Sequence, residues 1–151
     1  MSDDLMKLEN QFCFAVYACA REITKLYHPL LKDLNLTYTQ YITLLALWER
    51  DAVTVKELGE RLYLDSGTLT PLLKKLEAAG YLTRTRDPVD ERSVRIVLTE
   101  QGRALKAKAC TIPERLYLQS GMSAEQLEAI RSQMTDMLAR IHRGGDSQPL
   151  A

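Results

Sequence analysis

The stretch Ser66–Leu98, SGTLTPLLKKLEAAGYLTRTRDPVDERSVRIVL, changes its hydrophobic period half-way along, and that change decides the fold. Leu69, Leu72, Leu73 and Leu76 recur at i, i+3, i+4 and i+7, one face of a helix, and Gly80 sits where such a helix ends. Beyond Gly80 the alternation shortens to two. Tyr81–Arg86 and Ser93–Leu98 read as strands, and the polar loop Asp87–Arg92 joins them as a hairpin.

Upstream, helix starts are marked by a hydroxyl residue followed three places on by Gln or Glu, the capping-box pattern: Thr37 with Gln40 and Thr54 with Glu57, with Ser123 and Gln126 repeating it near the end. Thr37 opens a helix carrying Tyr41, Leu44, Leu45 and Trp48. Thr54 opens a short one, Val55–Tyr63, that buries Leu58 and Leu62, and Asp65 or Ser66 caps the next. Two short helices separated by Leu64-Asp65 and followed by a hairpin are the parts of a winged helix-turn-helix. Helix Ser66–Ala79 is then the recognition helix. Its leucines face inward, so Ser66, Thr68, Thr70, Pro71, Lys74 and Lys75 are left to meet phosphates and base edges. The hairpin adds Arg84, Arg86, Arg92 and Arg95.

The flanks read as helix for another purpose. Leu5 to about Leu31 is rich in helix formers, and Phe12–Ala20 is apolar on every side, so it must be covered on every side. In a domain this small a second subunit is the economical cover, which predicts a homodimer. Thr99 caps a helix predicted to run to about Ile112 and to be interrupted at Pro113. Leu127, Ile130, Met134, Met137 or Leu138, and Ile141 then form a three-four stripe suited to pairing with another helix. The expected architecture is mainly α with a small β-hairpin wing, an α+β domain over 1–143. Dimerisation helices fall at about 5–33 and 99–143, the winged helix-turn-helix at about 37–98, and a flexible tail at 144–151.

Composition narrows the function. The 151 residues are 46% hydrophobic, enough for a buried core, and 20 basic residues balance 20 acidic ones. A tail-driven or histone-like nucleic-acid binder is excluded, and a DNA-facing patch must be local. From Ser66 through Arg95 six basic residues stand against four acids, an excess that permits DNA binding without demanding it. Three cysteines (13, 19 and 110) and two histidines (28 and 142) show no zinc-like or Cys-His spacing, so neither a metal nor a cofactor is expected. Acids at the N-terminus and the lack of an apolar run of about 18 residues predict a cytoplasmic chain with no membrane segment.

Asp90-Glu91-Arg92-Ser93-Val94-Arg95-Ile96-Val97-Leu98-Thr99 followed by Gly102 resembles the wing signature of MarR-type regulators, and the order of elements matches that family over nearly the whole chain. Three stretches, Leu8–Phe14 (LENQFCF), Leu36–Tyr41 (LTYTQY) and Leu62–Leu73 (LYLDSGTLTPLL), resemble its OhrR branch of organic-peroxide sensors. The resemblance implies a homodimer reading a pseudo-palindromic operator, with recognition helices in successive major grooves about 34 Å apart. It also implies a wing in the minor groove whose hairpin is held by Asp90 and Arg92; Arg84 and Arg86 are added here as phosphate contacts. In such proteins the cysteine matching Cys13 reacts with an organic hydroperoxide, and tyrosines matching Tyr27 and Tyr38, from the partner subunit, stabilise its thiolate, with Tyr17 nearby.

Chemistry supports part of this independently. The thiolate is the nucleophile, and a thiol of pKa about 8.5 needs donors beside it to react quickly at neutral pH. Tyr17 lies four residues on from Cys13, on the same helical face, and Phe12 and Phe14 supply an apolar lining that favours organic over hydrogen peroxide. Oxidation gives a sulfenic acid that condenses with a second thiol. Cys19, six residues along one helix, is about 9 Å away and out of bridging range. In two-cysteine members of the branch the resolving thiol lies somewhat beyond Cys110, where this chain has none. A low-molecular-weight thiol is therefore favoured, with Cys110 kept as the other candidate. Three other readings stay open: a MarR-type repressor answering a small aromatic ligand with Cys13 as packing, a thiol peroxidase enzyme using Cys13, and a winged domain that binds only protein.

Overall fold

The computed structural model describes residues 3–147. Among them the helices are α1 (Phe12–Lys32), α2 (Tyr38–Glu49), α3 (Val55–Leu62), α4 (Ser66–Ala78), α5 (Glu100–Ala109), α6 (Ile112–Ser120) and α7 (Ala124–Ser147). The strands are β1 (Val53–Thr54), β2 (Leu82–Arg86) and β3 (Val94–Leu98). They fall into two compact units, the first ending at Ile112 and the second beginning at Pro113.

In the first unit the capping boxes set the helix starts as predicted. Thr37 accepts from the Gln40 amide while Gln40 Oε1 takes the Thr37 amide at 2.9 Å, and Thr54 and Glu57 do the same. Asp65, not Ser66, caps α4, its Oδ1 accepting from the Thr68 amide at 2.7 Å. The other end of α4 closes through two backbone bonds, Gly80 N–H to Glu77 O and Tyr81 N–H to Leu76 O, with Gly80 at φ 87°. Leu69, Leu73 and Leu76 of α4 are fully buried, as are Leu44 and Leu47 of α2, Leu58 of α3, Leu82 of β2 and Ile96 of β3, and α4 packs on α2, α3 and β2. This core fixes α4 by its inner face and leaves the opposite face to solvent.

The sheet holds one strand the periodicity did not predict. β1 pairs antiparallel with β3, Val53 opposite Ile96 and Thr54 opposite Arg95, so the order is β1-β3-β2. Two residues directly before a helix carry no readable alternation. The hairpin register sets Leu82 opposite Leu98 and Arg86 opposite Val94.

Two helix boundaries differ from expectation. α1 begins at Phe12 rather than Leu5, after two short 3-10 turns at Asp3–Met6 and Leu8–Asn10. Asn10 Nδ2 donates to Asp4 O and Gln11 Nε2 to Leu5 O, each at 2.7 Å, so side-chain amides occupy carbonyls that a continuous helix would use. After β3, α5 ends at Ala109, ahead of Pro113, and the proline lies in the first turn of α6, where its missing N–H is no loss.

In the second unit Ser123 and Gln126 form the third reciprocal cap and Tyr117 Oη accepts from the Ala124 amide at 3.1 Å. α7 runs through Gly144 and Gly145 to Ser147, past the point where a flexible tail was expected to begin. Glycine weakens a helix by about 1 kcal/mol without forbidding it. Residues 148–151 of that tail lie outside the described residues.

Candidate functional site

The α4 surface is arranged as its leucine spacing requires. Ser66, Thr68, Pro71, Lys74 and Lys75 are exposed and Thr70 is half-buried. Neither lysine has an ion-pair partner among the described residues, so both ammoniums are available to an anion. At the helix start, amide donation from Thr68 and the Thr68 hydroxyl hold the Asp65 carboxyl below its usual pKa.

The wing arginines divide into anchors and a free end. Arg84 donates to Glu77 of α4 through its backbone N–H at 2.9 Å and through Nε at 3.4 Å, tying β2 to the recognition helix. Arg86 Nη1 donates to Glu91 O at 3.1 Å across the loop. The hairpin is held by a different pair from the one the resemblance implies. Arg95 Nη2 meets Asp87 Oδ2 at 2.8 Å, and its Nη1 reaches Ala52 O at 2.5 Å, so one guanidinium joins the wing loop to the turn before β1. Asp87 also accepts from the Val89 amide; that bond, then Arg95, lowers its pKa. Asp90 instead accepts from the backbone N–H of Arg92 at 3.1 Å, shaping the tip. The exposed Arg92 guanidinium has no partner among the described residues. Aspartate positions along the loop are interchangeable in sequence; only the register separates Asp87, beside the strand end, from Asp90 at the tip.

The residues expected to form the thiol site lie in two groups. Cys13 is exposed in the first turn of α1, between the exposed Phe12 and Phe14. Tyr17 follows on the same face, its Oη accepting from Arg21 Nη1 at 3.3 Å, with the guanidinium 5.6 Å from the ring centroid. Tyr27 packs against Tyr38 at 4.7 Å between centroids, and Tyr41, which sequence reasoning placed only in the core, joins at 5.7 Å. Tyr38 is fixed there by the Thr37 cap that starts α2. Fourteen residues of α1 separate Cys13 from Tyr27, about 21 Å along the axis, so one chain does not bring thiol and phenols together. Cys13 and Cys19 share one continuous helix and cannot bridge. Cys110, at the C-terminal end of α5, is exposed and forms no disulfide.

Burial, then the neighbouring phenols Tyr38 and Tyr41, push the Tyr27 pKa from 10.0 to about 12. Near neutral pH all three phenols keep their protons and so retain an O–H to donate. Because the folded value lies above the unfolded one, this contribution to stability is complete below pH 10.0 and is lost as pH rises toward about 12. The melting temperature should therefore fall over that interval alongside tyrosinate absorbance, and Tyr27→Phe should shallow the fall. An unchanged alkaline limb in Tyr27→Phe would refute the assignment.

Among the described residues no group of His, Cys, Asp and Glu could hold a metal ion, and no helix is long and apolar enough to cross a membrane. An exposed helix α4 that follows a short turn and is braced by a three-stranded sheet has the architecture of a winged helix-turn-helix, the class of DNA-binding transcriptional regulators.

Comparison with known proteins carries this further. The sequence pattern of the SarA/Rot family of transcriptional regulators matches residues 25–109. The organic hydroperoxide resistance transcriptional regulator of Bacillus subtilis is 54% identical over 140 residues, 93% of this chain and 95% of that one. Reduced AbfR bound to DNA, a protein of Staphylococcus epidermidis, superposes with a TM-score of 0.76 at 32% identity, covering 93% of this chain and 99% of that one. Disulfide-formed AbfR gives 0.62 at 33% identity, with 90% and 96% covered. The chain belongs to the OhrR branch of the MarR-type regulators.

Proposed function

We propose that this protein is a repressor that holds its operator while Cys13 is reduced and releases it when an organic hydroperoxide oxidises that thiol. The observation that carries the reading is the division of the site within one chain. A reactive-type thiol and Tyr17 stand at one end of α1, and the Tyr27–Tyr38 pair stands about 21 Å along it. A homodimer with the α1 helices crossed head to tail completes two sites, each with a thiol from one subunit and phenols from the other. The apolar ring of Phe12, Phe14 and neighbouring faces then excludes water around the thiolate. The exposed apolar residues of α1, among them Phe12, Phe14 and Ile23, supply a surface for such pairing, and α7 of the second unit presents apolar residues of its own, Met134 and Ile141.

The chemistry is a two-electron transfer. The Cys13 thiolate attacks the distal peroxide oxygen, the O–O bond breaks, the hydroperoxide leaves as an alcohol, and the sulfur becomes a sulfenic acid. A low-molecular-weight thiol then condenses with it, releasing water and leaving a mixed disulfide. Cys110 is the competing resolving thiol, and mass spectrometry of the oxidised protein separates the two. A bulky adduct between the subunits biases the dimer toward a spacing of the two α4 helices that no longer fits successive major grooves.

On the DNA side Ser66, Thr68, Thr70, Pro71, Lys74 and Lys75 face the major groove and Arg92 the minor groove. Arg84, Arg86 and Asp90 hold the surfaces that present them. The test is a gel shift on the DNA upstream of the protein's own gene, run reduced, after cumene hydroperoxide, and again after dithiothreitol. Retardation, release and recovery are expected, and DNA binding that ignores the peroxide would overturn the reading. In the same assay Lys74→Ala should weaken binding and flatten the dependence on log salt concentration by about two per dimer, one lost phosphate contact per subunit. An unchanged slope would remove Lys74 from the interface.

A further inference from the structure

The chain just past α2 holds the wing by a side chain as well as by strand pairing. In the register of β1 on β3, Val53 faces Ile96, which sets position 51 opposite Leu98. The strand does not reach that far, because Ala52 is left-handed at φ 58°, a conformation that is costly for a residue with a Cβ. The Asp51 carboxylate takes the missing partner's part. Its Oδ1 accepts from the Leu98 N–H at 2.9 Å and from the Ala52 N–H at 2.7 Å. The turn fixed in this way aims Ala52 O at Arg95, whose other terminal nitrogen holds Asp87 of the wing loop. The central strand β3 is thus bound to the end of α2 at two points, Arg95 and Leu98. Arg103 of α5 closes the junction, donating from Nη1 to Leu98 O at 2.8 Å and lying 3.8 Å from Asp51 Oδ2.

The opposite end of α2 lies in the phenol cluster. The helix starts at Tyr38, packs Tyr38 and Tyr41 against Tyr27, and runs about 16 Å to Glu49. Leu44 and Leu47 are fully buried along it, Trp48 Nε1 donates to Gly102 O, and Arg61 of α3 donates to Ala46 O and to Glu49. A helix packed at interior density on this scale shifts as a unit rather than bending. We propose that α2 carries the state of the thiol site to the wing, with Asp51 as the positioning residue that joins the two; this rests on the reading of Cys13 as the switch beside the partner subunit's phenols. A bulky adduct against Tyr38 displaces the start of α2, and the far end moves β3 and the Arg92 tip with it through Leu98 and Arg95. Cutting the joint leaves both ends in place but makes the wing indifferent to the thiol.

The test measures the operator Kd by fluorescence anisotropy for each protein reduced and after cumene hydroperoxide with free cysteine, the oxidised state being verified by mass. The quantity read is the ratio of the two Kd values, together with the rate of Cys13 oxidation. Wild type, Asp51→Ala, Asp51→Asn and Arg95→Met are compared below their melting transitions. Asp51→Ala should lower the ratio roughly tenfold while Cys13 oxidises at the wild-type rate. Asp51→Asn keeps an oxygen for both N–H groups and should hold the ratio within about twofold of wild type. Arg95→Met, which cuts the second link and keeps the apolar stem, should lower the ratio as Asp51→Ala does and carries the test alone if Asp51→Ala does not fold. A merely structural joint weakens reduced and oxidised binding by the same factor, so an unchanged ratio in Asp51→Ala and Arg95→Met, with wild type still released, would overturn the proposal and leave the Cys13 switch standing. A ratio lost as fully in Asp51→Asn as in Asp51→Ala would overturn the assignment to these two hydrogen bonds. A wild-type protein that oxidises at Cys13 without release would remove the switch, and the coupling with it.

Discussion

Cys13→Ser should retain operator binding at the reduced wild-type level and remain bound at hydroperoxide concentrations that release the wild type completely. Serine matches the shape of cysteine but is not ionised near neutral pH, so the nucleophile is removed with little change in packing. The structure gives reason to expect an intact fold. Cys13 is exposed in the first turn of α1, outside the leucine core of the first unit, and accepts none of the hydrogen bonds that fix the preceding 3-10 turns. The effect on regulation is therefore all-or-none while the effect on melting is small, because serine keeps the size and shape of the cysteine it replaces. Cys19→Ser and Cys110→Ser serve as controls, both thiols being exposed as well. Release of Cys13→Ser by peroxide at wild-type concentrations would transfer the switch to another group. Release by Cys110→Ser in the presence of a small thiol, but not in its absence, would identify the small thiol as the resolving partner.

How legible these features were in the sequence depended on whether the signal was local. Thr37, Thr54 and Ser123 each announce a helix within four residues, and each forms the reciprocal cap its spacing predicts. The leucines of α4 and the change of period at Gly80 likewise depend only on neighbours in the chain. The features that needed three dimensions were missed or misassigned. β1 exists only because Val53 finds Ile96 forty-three positions later in the chain. The guanidinium that braces the wing belongs to Arg95, whose partners Asp87 and the Ala52 carbonyl come from a loop and a distant turn. Tyr41 reads as core by spacing, and nothing local says that its ring also reaches Tyr27. The amides of Asn10 and Gln11 did carry a local signal, since such side chains compete for backbone carbonyls, but the helix formers around them masked it. The site itself is divided in the same way. Motif resemblance picked out Cys13, Tyr27 and Tyr38, while the length of α1 sets Cys13 about 21 Å from Tyr27 within one chain.

Gly102→Ala should cost on the order of 3 kcal/mol and lower the melting temperature by roughly 6–12 °C, although the same change in an ordinary helix is favourable. Gly102 lies in the first turn of α5, and a Cβ built there falls 2.0 Å from Tyr81 O and 3.2 Å from Leu98 Cδ2. The neighbour is backbone, and it is tethered. Tyr81 O accepts from the Thr99 amide at 3.1 Å, and Thr99 Oγ1 donates to Gly80 O at 2.6 Å while accepting from the Gly102 amide at 3.0 Å. On its other side Gly102 O holds Trp48 Nε1 of α2 at 2.8 Å. A methyl group must therefore move either α5, breaking the Trp48 bond, or the Gly80-Tyr81 segment, which begins the wing. Gly144→Ala is the internal control, because nothing lies within 4 Å of a Cβ there and it sits in α7. It should raise stability by about 0.5–1 kcal/mol, so one substitution has opposite signs at two helical glycines. DNA binding discriminates further. Below its melting transition Gly102→Ala should bind operator more weakly than its folded fraction accounts for, since strand β2 of the wing begins at Leu82, directly after the shifted carbonyl pair, whereas Gly144→Ala should bind as wild type. A Gly102→Ala protein that melts and binds like wild type would mean that α5 does not approach the wing as closely as the structure places it.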